Sequence, residues 1–140
     1  MMNTKIYKAV HSLAELLMEA VKRKDDKSFA TLYTELKAIC VDNENTEKDH
    51  PVQWETLADF TEDLEEAISV YAKALTKAVA INSKDYMSSI AFSMAQLHIE
   101  LGQIDTAIKN LQDAKVSANK IEDKELKSEI HDLLESLLTS

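Results

Sequence analysis

The sequence predicts an all-α fold built from antiparallel helix pairs, and three observations favour it. One glycine and one proline occur among 140 residues, which is too few for the many tight turns of a sheet-rich fold. Apolar residues recur at spacings of three and four along most of the chain, as on one face of an amphipathic helix. A short motif also returns after forty residues: Ala67-Ile68 with Tyr71 and Ala74, then Ala107-Ile108 with Leu111 and Ala114. Repeats of this length are typical of stacked helical units, none of which buries its apolar face alone.

The first three helices follow from local signals. Asp25-Asp26 interrupts the first apolar stripe and supplies a cap for the second helix. A segment without apolar residues, 42–50, is the one clear loop, and Pro51 follows it where proline suits the first turn of a helix. The predicted bounds of these helices are residues 4–24, 27–41 and 51–60.

The second half of the chain predicts four more helices, which brings the total to about seven. Ser83 is placed to cap the fifth helix, and Gly102 is placed to end it, because glycine adopts the left-handed conformation without a Cβ clash. The predicted bounds are 63–82, 84–101, 104–119 and 123–138. The last helix carries a leucine-rich stripe: Leu126, Ile130, Leu133, Leu134, Leu137 and Leu138.

We expect residues 1–140 to form one domain, since the chain is long enough to bury a core without disulfides or a structural metal. Phe29, Tyr33 and Leu36 have the spacing of Ala67, Tyr71 and Ala74, so the N-terminal pair is interpreted as a degenerate copy of the unit. The expected organisation is a degenerate pair at 1–41, repeats at 51–82 and 84–119, and a capping helix at 123–138.

Charge and composition exclude several classes of partner. The net charge is −9, and no Lys/Arg cluster forms the basic patch that nucleic-acid binding requires. The same charge disfavours anionic membrane surfaces, and no apolar stretch approaches the length of a membrane span. A single cysteine, Cys40, on an apolar stripe fits a reducing compartment, and the N-terminus lacks the pattern of a secretory signal. We therefore expect a cytoplasmic protein that binds neither nucleic acid nor membrane.

Catalysis has no support in the sequence. The four histidines lie on separate elements without metal-ligand spacing, and one glycine cannot form a phosphate-binding loop. Acid/base chemistry would need two carboxyl groups held around a pocket with separated pKa values, which no motif indicates. We expect no enzyme, no metal and no cofactor.

At this point the chain resembles the tetratricopeptide repeat (TPR) family. The best match spans Ala91 to Ala114, with small Ala95 on the first helix, Gly102 at its end, and Ala107, Leu111 and Ala114 on the second helix. Small residues at these places let paired helices cross closely. The period of forty exceeds the usual value of about 34, and the proline that often closes a repeat is replaced by Val79 and Asn119.

The resemblance implies a function in protein–protein interaction. In such arrays the first helices line a concave groove that holds a peptide or helix of a partner, and a terminal helix covers the last repeat. Transfer of the motif gives these groove positions: Ser89, Phe92, Ser93, Gln96, Ile99 and Glu100 on the fifth helix, and Gln53, Thr56 and Phe60 on the third. The acidic chain further suggests a partner segment with basic residues.

Two alternatives stay open at this stage. The leucine-rich last helix could pair between chains and make a homodimer, or an uncovered N-terminal face could do so. The chain could also be a small chaperone for a dedicated client protein, which would require a deep and unfilled apolar groove.

Overall fold

The computed structural model of the chain describes residues 3–139 and confirms the all-α prediction. Within these residues there are seven helices and no strands: α1 (Thr4–Arg23), α2 (Asp26–Asn43), α3 (Pro51–Asp59), α4 (Leu64–Ala80), α5 (Lys84–Glu100), α6 (Ile104–Ala118) and α7 (Lys124–Leu138). Each helix lies close to the position that its apolar stripe predicts. None of the described helices is both long and apolar enough to cross a membrane.

The helices begin where a side chain can accept a hydrogen bond from the free N–H groups of the first turn. Five helices have an Asn, Asp or Ser in this role: Asn3, Asp25, Asp63, Ser83 and Asp123. At α3 the acceptor is the Nδ1 atom of His50, which receives the N–H of Val52 at 3.1 Å. These caps satisfy donors that would otherwise have no partner, so the local sequence sets the helix starts.

Three short connections share one geometry. Lys24, Asn82 and Gly102 have positive φ values of 57°, 52° and 76° and follow α1, α4 and α5. After α5, the N–H of Gly102 bonds to Ile99 O at 3.0 Å and the N–H of Gln103 to His98 O at 2.8 Å. This paired pattern closes a helix end in a turn of few residues, which brings the next helix back antiparallel.

Two hydrophobic clusters run through the stack, and α5 contributes to both. Ile90 and Met94 face the first cluster, which is built mainly from α1 to α4. Ala91 and Ala95 face the second cluster, formed with α6 and α7. Because one helix supplies both clusters, the repeats are joined through shared core and not only through linkers.

The contact between α5 and α6 depends on small side chains. Ala91, Ala95, Ala107 and Ala114 are all buried, and Leu111 fills the space beside them. Short side chains where ridges meet allow two helix axes to approach closely. The alanines of the repeated motif therefore have a packing role, as the sequence predicts.

The last helix covers the second cluster. Ile130 and Leu134 are buried, and Leu126, Leu133 and Leu137 pack against the same cluster. Leu138 is the one member of the predicted stripe that remains exposed. The stripe is thus used within the chain, as expected of a capping helix, and offers little apolar surface for a dimer.

The polar loop between α2 and α3 is held to α4 by a cluster around the Asp49 carboxylate. Asp49 accepts hydrogen bonds from Lys77 Nζ at 2.7 Å and from Trp54 Nε1 at 2.8 Å. Burial acts to raise the pKa of Asp49, but the bonds from Lys77, Asn45 N–H and Trp54 outweigh it and lower the pKa. The Lys77 ammonium also lies 5.4 Å from the centre of the Trp54 ring. The cluster fixes the first helix pair against the second.

We predict that Lys77→Ala lowers the free energy of unfolding by about 2 kcal/mol, because it leaves the mostly buried Asp49 carboxylate without its cation. Lys73 is the matched control: it also lies over Trp54, but its side chain is 47% exposed, against 15% for Lys77. Lys73→Ala should cost less than about 1 kcal/mol. Urea unfolding of both variants measures the difference, and equal losses would contradict the assigned role of Lys77.

Candidate partner-binding groove

The first helices of the three pairs, α1, α3 and α5, share one face of the molecule. Ser89 of α5 donates a hydrogen bond to Glu55 Oε2 of α3 at 2.8 Å. The ring of His50, at the start of α3, meets the Tyr86 ring of α5 edge-on at 5.2 Å. Val21 of α1 lines a cavity together with residues at the end of α3. We call this shared face of α1, α3 and α5 the groove.

The cavity lies between the ends of α1 and α3 and the first half of α2, beside the groove, and its volume is about 830 Å³. Aromatic and aliphatic side chains form much of the wall: Ala20, Val21, Phe29, Ala30, Tyr33 and Phe60. Asp26, Asp59 and Glu62 add carboxylates to the lining, and Lys24 adds an ammonium group.

The predicted groove residues of α5 divide into three groups. Gln96 and Glu100 are exposed and reachable from solvent. Ser89 and Ser93 are half-buried and lie toward α3, where Ser93 is within hydrogen-bonding reach of the Tyr71 hydroxyl. Phe92 and Ile99 are half-buried on the other side and pack against the second cluster.

Of the three predicted groove residues of α3, one is buried and two are half-buried. Gln53 is 1% exposed, and its amide donates to the Lys48 carbonyl at 2.7 Å, so it holds the loop and cannot meet a partner. Gln53 is therefore not a groove residue, contrary to the sequence prediction. Thr56 is half-buried, and Phe60 meets Phe29 edge-on at 6.4 Å in the wall of the cavity.

A comparison of equivalent positions in the two repeats explains why Gln53 was predicted wrongly. Phe92, Gln96 and Ile99 precede Ala107 by the same intervals at which Val52, Thr56 and Asp59 precede Ala67. Gln53 and Phe60 each lie one residue beyond these equivalents, and one residue turns a helical side chain by about 100°. Asp59 is the groove residue that sequence reasoning missed on α3.

The same offset, counted back from Phe29, gives Ala14, Met18 and Val21 on α1. These positions recur at three and four residues and so share a helix face. Met18 and Val21 are 55% and 58% exposed, although both are large and apolar. The apolar periodicity of α1 by itself predicts that Met18 and Val21 are packing residues, whereas the structure leaves both exposed.

Two carboxyl groups lie one helical turn apart on α3, toward α5. Glu55 accepts from Ser89, and Asp59 Oδ1 accepts from the Tyr71 hydroxyl at 2.5 Å. Burial raises the pKa of Glu55 from 4.5 to about 7, and the nearby Asp59 charge adds to the shift. Burial of its carboxyl also raises the pKa of Asp59, although much of that residue remains exposed. Among residues 3–139, no Lys, Arg or His forms an ion pair with either group.

This pair does not have the character of an acid/base centre. Catalysis by two carboxyl groups needs environments that push their pKa values in opposite directions. Here burial raises both, and the hydroxyl groups of Ser89 and Tyr71 occupy one oxygen of each. In the described part of the chain, no three His, Cys, Asp or Glu side chains come together as a metal site. The arrangement is suited to holding a hydrogen-bond donor or a cation.

Two solved structures of one protein are similar to this chain. PcrH from Pseudomonas aeruginosa has a TM-score of 0.68 and 16% identity, with 94% of this chain and 92% of that chain covered. PcrH in complex with the chaperone binding region of PopD has a TM-score of 0.71 and 18% identity, with 99% and 95% covered. No protein-family model and no curated protein matches the chain. The similarity supports the TPR-like helical-repeat fold over nearly the whole length.

We predict that Glu55→Gln stabilises the free protein increasingly as pH rises. A carboxyl pKa raised from 4.5 to about 7 means that the folded state holds a proton that the unfolded state releases, so this contribution is lost as pH rises through about 7. The uncharged amide keeps an acceptor for Ser89 and avoids that loss, which is worth about 2–3 kcal/mol above pH 7. Urea unfolding of both proteins from pH 5 to pH 8 measures it. A difference that stays constant with pH would contradict the prediction.

Proposed function

We propose that this protein is a non-catalytic interaction module whose groove holds a segment of a partner protein. The observation that carries the proposal is the apolar stripe of α1, in which Met18 and Val21 are exposed and Ala14 is half-buried, beside the open cavity. Large apolar residues grouped on one accessible face of a soluble domain are typical of an interaction surface. The groove is formed by helices that are already ordered, so a segment can bind without refolding the module.

The structural similarity supports the same proposal. PcrH was solved with the chaperone binding region of PopD, so a protein of this fold binds a region of another protein. This favours the more specific version, a small chaperone that shields an apolar segment of a dedicated client. An extended or amphipathic helical segment would lay its apolar side chains on the α1 stripe and into the cavity.

Other features support a cytoplasmic module that acts as one chain. Cys40 is free and buried, and burial raises the pKa of its thiol to about 12, which makes it an inert core residue suited to a reducing compartment. The net charge of −9 favours protein partners over nucleic acid or anionic membrane. The apolar stripe of α7 is packed inside the chain, which removes the main reason for proposing a dimer through that helix.

We predict that Met18→Glu abolishes partner capture from a lysate of the source organism, because it places a charge where apolar side chains would be buried. Val116→Glu is the matched control: Val116 is 69% exposed on α6, outside the groove, and the change in charge is identical. Affinity should fall by at least about tenfold for Met18→Glu and remain unchanged for Val116→Glu. Both variants are compared with wild type by circular dichroism. Retention of the same partners by Met18→Glu would contradict the groove assignment.

A further inference from the structure

The border between α3 and α5, on the floor of the groove, has more acceptors than donors. Ser89 gives its hydroxyl hydrogen to Glu55 and Tyr71 gives its hydrogen to Asp59, so one oxygen of each carboxyl is satisfied. No hydrogen bond within residues 3–139 reaches the other oxygen of either group. We call this place, with Glu55, Asp59, Tyr71, Ser89 and Ser93, the acidic floor.

The described groups that face Glu55 bring no positive charge, and Lys24, which lines the same cavity as Asp59, makes no ion pair with either carboxyl group. Glu55 is faced by Asp59 from its own helix, by the Tyr71 hydroxyl from α4, and by Tyr86 and Ser89 from α5. Tyr7 of α1 faces Tyr86 and also brings no positive charge. Lys77 of α4 is engaged by Asp49 and Glu44 and lies against the Trp54 ring. A carboxyl group held in a partly buried place without a cation lowers stability until a positive group arrives.

Asp59 also joins the acidic floor to the apolar part of the groove. It lines the cavity together with Val21, Phe29 and Phe60. A segment in the groove thus meets an apolar surface and two carboxyl groups within the length of a few residues. An aliphatic side chain next to a lysine or arginine has the complementary chemistry, because long basic side chains lie along apolar surface while their charge reaches outward.

We propose that the acidic floor selects partner segments that carry a lysine or arginine beside an apolar residue, with the cation held between Glu55 and Asp59. This inference rests on the proposed function and adds to it the residue class by which the groove distinguishes segments. A metal ion fits the place less well, because two carboxyl groups without a third ligand in the described chain do not complete a coordination shell.

The proposal has a pH dependence of defined sign. Only the ionised Glu55 attracts a cation, and its pKa of about 7 means that it ionises between pH 6 and pH 8. Affinity for a basic segment should therefore rise over this interval. Glu55→Gln should remove the rise, since the amide carries no charge at either pH.

The test is selection from a library of random peptides displayed on phage, with three forms of the protein as bait. The forms are wild type, Glu55→Gln/Asp59→Asn, and the control Glu125→Gln/Glu129→Gln. The control pair lies on exposed positions of α7 with the same spacing and the same change in charge. The amides of the first variant still accept from Ser89 and Tyr71, so its fold is preserved, which circular dichroism checks.

Wild type and control should enrich peptides with Lys or Arg next to aliphatic residues, and Glu55→Gln/Asp59→Asn should enrich aliphatic residues alone. A selected basic peptide should bind this variant at least about tenfold more weakly, the loss expected for a charge-assisted hydrogen bond. The inference is overturned if the peptides selected by wild type are not enriched in Lys or Arg. It is also overturned if all three forms enrich Lys and Arg equally. Either result leaves the proposed function standing. Failure of wild type to select any peptide overturns both.

Discussion

The attachment of the 44–50 loop to α4 is the constraint on which the groove depends. This loop has no apolar residue of its own, so polar contacts hold it to α4, in addition to the first hydrophobic cluster that packs α1 and α2 against α3 and α4. The Asp49 carboxylate accepts hydrogen bonds from Lys77, from Trp54 and from a backbone N–H of its own loop. The Gln53 amide also holds the loop, because it donates a hydrogen bond to a loop carbonyl. With the loop fixed, α1 lies beside α3 and their exposed faces become one surface. Without it, the two pairs would share fewer contacts and the cavity between them would lose its shape.

Stability and binding make opposite demands on α3. A hydrophobic or amide side chain at position 55 would suit the packing between α3 and α5 better than a carboxyl whose pKa is raised to about 7 by burial. Residues that oppose the stability of the free fold tend to gather where a protein meets its ligand. Glu55 is of this kind: its raised pKa opposes the folded state above pH 7, and a cation of the proposed partner segment would offset that cost.

Local chemistry let the sequence predict the helices, their caps and the small residues between α5 and α6, because each depends on neighbours a few positions away. The groove residues stay predictions: Gln96 and Glu100 are exposed and accessible to a partner, whereas Gln53 is buried and bonded to the loop. The internal repeat contained a correct offset that leads to Asp59 and to the stripe on α1. The raised pKa of Glu55 could not be predicted, since it arises from the approach of α5 in three dimensions.

The central claim is that a partner segment lies in the groove formed by α1, α3 and α5. Site-specific photo-crosslinking tests it most directly, with a photoreactive amino acid placed at Met18, at Gln96 or at Val116 in turn. These positions lie on α1 and α5 within the groove and on α6 outside it. The account predicts that the same partner is crosslinked from positions 18 and 96 and is not crosslinked from position 116. Crosslinking of that partner from position 116, with none from positions 18 and 96, would contradict the account.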